Sequence, residues 1–146
     1  MIHIEGERSF AHPVGEVFVK LGDASFLLSC LKDVEQVIET NTDRAHWKLR
    51  PGFSFIRTTL DISMDIVERV TDNTIKVKLF SKGIGATSTV ISVMTFHPHE
   101  SGTTVRWVAD VTELTGLLKL VPKSLIMSSA GKVIDETWAE IDAKLK

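Results

Sequence analysis

The chain has 146 residues, of which 43% are hydrophobic and 25% charged. That is enough apolar material for one core, and it excludes both disorder and a fibre. Its net charge is −2 with no lysine or arginine cluster, which disfavours a nucleic-acid partner, and the single cysteine, Cys30, excludes an internal disulfide and a multi-cysteine metal site. The first residues, MIHIEGERSF, carry early charges and no long apolar segment, so no secretory signal is expected. No run approaches the roughly 20 apolar residues that span a bilayer. The expectation is a soluble, cytoplasmic single domain spanning residues 1–146.

Residues 2–11 alternate as a strand with Ile2, Ile4, Gly6, Arg8 and Phe10 on one face. Pro13 has no backbone donor, but its fixed φ suits a helix start. Val14, Val17, Phe18 and Leu21 then recur at helical spacing up to Gly22. A second short helix is predicted around DASFLLSCL, with Asp23 as its N-cap. Strands follow at VEQVIET and RAHWKLR, separated by the turn residues Asn41 to Asp43. A Pro51–Gly52 turn leads into the long run Phe55 to Val70, in which Ile56, Leu60, Ile62, Met64 and Ile66 alternate against polar residues. TIKVKLF, TSTVISVMTFHP and TTVRWVADVTEL complete an antiparallel meander, with Ile75, Val77 and Leu79 inward. From Pro122 to Lys146 a stripe including Ile126, Ala130, Ile134, Trp138 and Ile141 predicts one long amphipathic helix. Pro122 is placed at its first turn, because proline inside a helix costs about 3 kcal/mol.

Few residues suggest chemistry. Arg8 lies on the apolar face of the first strand, where a buried guanidinium needs a carboxylate or several acceptors. Glu113, which shares the inward parity of Val105, Trp107, Ala109 and Val111, is the candidate partner; alternatively Arg8 is solvated near the strand end. His97 and His99 would chelate a metal only if both rings converged from a hairpin tip, and an exposed loop is the plainer reading, so no metal is expected. GIGATS, Gly83 to Ser88, lacks the following helix that a phosphate loop needs and reads as a bend between strands. Cys30 sits among Leu28, Ser29 and Leu31 and reads as a small buried hydrophobe. Asp61 and Asp65 share the face opposite the apolar one and are expected in solvent.

Three stretches carry a family likeness: IEGERSFAHPVGEVFVKLGD at the start, SCLKDVE after the second helix, and FHPHESGTTVRWVADVTELTG before the long helix. Through them the chain resembles the START-like (SRPBCC) superfamily and, within it, the CoxG family of carbon monoxide dehydrogenase. Lys32–Asp33 stands where that family usually has a Pro-Gly pair. The resemblance implies an α+β helix-grip fold, a curved antiparallel sheet of about seven strands around a long C-terminal helix. The two short helices would close one end of the sheet, and an apolar cavity would remain between sheet and helix.

Such a pocket implies an apolar ligand of lipid, quinone or polyketide type. Facing it are expected Ile4, Ile62, Met64 and Val77, then Met94, Trp107, Ile126 and Ile134, with Arg8 and Glu113 as polar groups. A carrier or sensor without chemistry of its own is favoured, because inward titratable residues are sparse. A cyclase or hydratase would have to rely on Arg8 and Glu113. No cofactor is expected. The resemblance also implies a second role, docking on a carbon monoxide dehydrogenase or related molybdenum hydroxylase. Leu117–Met127, apolar with Lys119 and Lys123 interspersed, is the segment expected to touch a partner or lie peripherally on a membrane. Gly131 would either leave room for the ligand or allow close sheet contact.

Overall fold

The computed structural model describes residues 2–50, 59–83 and 85–145. Within them lie β1 (Ile2–Phe10), α1 (Val14–Leu21), α2 (Ala24–Ser29), β2 (Val34–Thr40), β3 (Arg44–Leu49) and β4 (Leu60–Val70). β5 (Thr74–Gly83), β6 (Ala86–His99), β7 (Gly102–Leu114), a 3-10 helix at Gly116–Leu120 and α3 (Lys123–Lys144) follow. The Pro51–Gly52 turn and the start of the long alternating run, Phe55 to Thr58, lie outside the described residues. The seven strands form one antiparallel sheet in the order β1-β7-β6-β5-β4-β3-β2. The chain's first strand thus pairs with its last, and the sheet is the expected helix-grip meander.

Local chemistry sets the elements much as the residues predict. Pro13 is the N-cap of α1, which buries Val17, Phe18 and Leu21. The Asp23 carboxylate accepts from the N–H groups of Ser25 and Phe26 at 2.9 and 3.4 Å, capping α2. Arg69 holds the junction of the two short helices by donating to the Gly22 carbonyl at 3.0 and 2.7 Å and to the Thr42 carbonyl at 2.8 Å. Phe18 meets Phe96 edge-on, with ring centroids 5.3 Å apart, so α1 seals one end of the sheet. Ile75 on β5 is fully buried in the same core.

Three details depart from the expectations. β6 continues through His99, so His97 and His99 are exposed strand residues and not members of a loop. A 3-10 helix stands before α3, held by a Leu117 N–H to Gly85 carbonyl bond of 3.1 Å. Asp61 and Asp65 do lie on the outer face, but half-exposed and paired across strands. Asp61 meets His46 at 2.6 Å and Asp65 meets Arg44 at 2.7 Å. Cys30 is buried, and burial pushes its thiol pKa up, the opposite of what a nucleophile requires.

A β-bulge in β7 decides the fate of Glu113. Val111 pairs with Val90, yet Glu113 pairs with Thr89, so Thr112 is the extra residue and the parity of the strand inverts after it. Glu113 consequently points outward and is exposed, while Leu114 takes the inward position. The expectation that Glu113 faces the interior is corrected on that ground.

Candidate ligand-binding cavity

α3 lies across the concave face of the sheet but is docked over only part of its length. Its buried side chains are Trp138 and Ile141, 6% and 2% exposed, both in the C-terminal half. The Trp138 ring stands 6.2 Å from those of Phe10 and Trp107. Toward the N-terminus the helix has no comparable anchor, and Ile126, Ala130 and Ile134 are only half-buried. Opposite that stretch, β5 and β6 carry small inward residues, Ser81, Gly83, Ala86 and Ser88. Small side chains facing a helix end that is not packed down leave a cavity of about 580 Å³.

Eight of the ten residues singled out from the sequence line this cavity. Ile4, Ile62, Met64 and Val77 form part of its sheet wall, with Met94 and Trp107 deeper on β6 and β7, and Ile126 and Ile134 face it from α3. Arg8 and Glu113 do not line it. Arg8 is half-buried opposite Val105, whereas Glu113 lies beyond the bulge at the far end of β7, so the strand register keeps the two apart. Gly131 makes no close sheet contact either, since a Cβ added there meets nothing within 4 Å.

Gly6 has a definite role instead. A Cβ at this position would lie 2.6 Å from Cζ2 of Trp107, so the indole rests directly on the bare backbone of β1. The N–H groups of Trp107 and Trp47 are buried without a hydrogen-bond partner among the described residues. Each orphaned donor costs about 1–3 kcal/mol, a stability loss accepted beside the cavity.

The wall is apolar apart from a few hydroxyls and a charged rim. Ser81 and Ser88 hydrogen-bond to each other across β5 and β6, and the Ser92 hydroxyl donates to the Val108 carbonyl at 3.0 Å. Sequence reasoning misses these serines, although the parity that puts Leu79 and Met94 inward also puts Ser81, Ser88 and Ser92 inward. The charged lining residues are Lys32, Asp33, Lys132 and Glu136, of which Lys32 and Glu136 approach to 3.6 Å. The first three are exposed and Glu136 is half-buried, so the charges mark the mouth and not the interior.

No described helix is long and apolar enough to cross a membrane. At the mouth, Leu117 and Leu120 stand 63% and 79% exposed beside Lys119 and Lys123.

A seven-stranded sheet gripping a long C-terminal helix, with two short helices after the first strand and an apolar cavity between, defines a START-like (SRPBCC) domain. Solved structures share the fold. A conserved protein from Geobacillus kaustophilus superposes with a TM-score of 0.85 at 16% identity, covering 99% of this chain and 95% of that one. A START superfamily protein from Mycobacterium smegmatis gives 0.70 at 9% identity, covering 98% and 96%. A protein from Chromobacterium violaceum gives 0.63 at 14% identity, covering 94% and 95%. Comparison with curated proteins finds no match. Residues 6–146 match the CoxG family of carbon monoxide dehydrogenase, and the chain belongs to it.

Proposed function

We propose that this START-like domain binds an apolar small molecule of lipid, quinone or polyketide type between the sheet and α3, as a carrier or sensor without chemistry of its own. The observation that carries this reading is the cavity of about 580 Å³, a volume in the range of small-molecule sites. Its interior is apolar, and desolvating a matching ligand surface supplies roughly 25 cal/mol per Å². Among the described residues, titratable side chains line the cavity only at its rim, which supports binding over acid-base catalysis. Titration with Nile red, a neutral apolar dye, tests it. One saturable site per chain with enhanced, blue-shifted emission is expected; emission no higher than in buffer counts against the reading.

The exposed Leu117 and Leu120 at the mouth support a route by which ligand is exchanged at a membrane surface. From Leu114 to Ile134 the chain carries Lys119, Lys123 and Lys132 and no acidic residue, which suits anionic headgroups. In this reading the protein works in the cytoplasm and visits the membrane peripherally. Co-sedimentation with phosphatidylglycerol vesicles is expected for the unchanged protein and is expected to be lost in L117D/L120D. Equal sedimentation of the two would place any membrane contact elsewhere.

A second reading is favoured by family membership. In it the domain docks on a carbon monoxide dehydrogenase or related molybdenum hydroxylase. Pull-down with a tagged chain from its own cells tests this, and recovery of a hydroxylase component is the supporting result.

A further inference from the structure

Resting on the ligand-binding reading above, we propose that the cavity selects a neutral apolar molecule bearing a hydrogen-bond-accepting oxygen, of the ketone, ester or ether class. That oxygen is seated on the Ser81–Ser88 hydroxyl pair, and a fatty-acid-type anion is disfavoured.

Ser81 on β5 and Ser88 on β6 are cross-strand partners, both half-buried, both lining the cavity. Their hydroxyls bond to each other and to no other side chain or backbone group among the described residues. A hydroxyl carries one proton and two lone pairs. A mutual bond consumes one proton of the two, so the pair always keeps one O–H free to donate. Rotation about either Cβ–Oγ bond lets that proton follow a ligand. Their neighbours on the inner face are Leu79 and Val90 on one side and Gly83 and Ala86 on the other. The hydroxyls therefore form a polar spot in an apolar wall, and the two small residues leave room beside it. Ser92 does not compete, since its proton is already given to the Val108 carbonyl at 3.0 Å.

The preference for a neutral group follows from where the charges lie. The lining lysines, Lys32 and Lys132, are at the rim with Asp33 and Glu136, and Lys32 is paired with Glu136 at 3.6 Å. Arg8, the cation expected to anchor a head group, does not line the cavity. A carboxylate carried in to the serine pair would lose its hydration and find no counter-charge among the described residues, whereas a carbonyl or ether oxygen needs only the one free O–H.

The test is displacement of Nile red from the full chain by three probes of equal alkyl length: methyl laurate, laurate and dodecane. Methyl laurate is expected to displace the dye most effectively. In the S81A/S88A variant its affinity is expected to fall about fivefold to tenfold, the worth of one hydrogen bond, with dodecane unchanged. S88T, which keeps the hydroxyl, is expected to retain the affinity. Unaltered methyl laurate binding in S81A/S88A, or tighter binding of laurate than of its ester, overturns the inference while leaving apolar ligand binding intact. Failure of the folded protein to take up Nile red or any probe overturns both.

Discussion

Replacing Val90 with tryptophan is expected to abolish Nile red uptake, weakening it by more than about tenfold, with the fold intact. Val90 lies mid-strand on β6, half-buried, between Leu79 and Val111, and all three face the cavity. An indole there projects into open volume and not into packed neighbours. The effect on stability should consequently be small or favourable, since filling a cavity commonly adds about 0.5–2 kcal/mol. Dye titration and a thermal melt on the same sample measure both. Unchanged dye binding by a folded V90W protein would put the binding site outside the cavity.

The second large effect concerns Gly6. G6A is expected to destabilise the protein by about 1–3 kcal/mol, because the new methyl group must push the Trp107 indole off β1. Trp107 has little freedom to move, being stacked near Trp138, the main anchor of α3. The same chemical change at Gly131 is expected to act in the opposite sense. There an added methyl meets nothing within 4 Å, and alanine is favoured over glycine inside a helix by about 0.5–1 kcal/mol. Urea unfolding of the two variants checks the pair. A stabilised G6A protein would mean that the indole does not rest on the β1 backbone.

Strand patterning suffices in some places and fails in others. Alternation along β4 and β5 correctly turns Ile62, Met64 and Val77 inward, because a half-buried strand exposes one face and hides the other. The same rule misplaces Glu113, since a single extra residue at Thr112 inverts parity and nothing in the local composition marks it. Alternation along β1 puts Arg8 on the face of Ile4 and Gly6, but whether that position opens on the cavity depends on where α3 packs. The cavity itself is a difference between two volumes, the curvature of the sheet and the stand-off of the helix. The helical stripe from Ile126 to Ile141 predicts a docked helix without revealing that only its C-terminal half is buried. Ser81, Ser88 and Ser92 are legible by parity, yet small hydroxyl residues on a strand give no sign of whether they face a void or a packed neighbour. What the residues leave open, the family resemblance supplies: a cavity between sheet and helix.

The central claim is that this cavity carries an apolar molecule. Mass spectrometry of organic extracts from the natively purified protein, set against an unrelated protein from the same cells, tests it most directly. The account predicts a neutral apolar compound, enriched specifically and in near-stoichiometric amount. Repeated extracts no richer than the control would contradict it and turn attention to docking on a molybdenum hydroxylase.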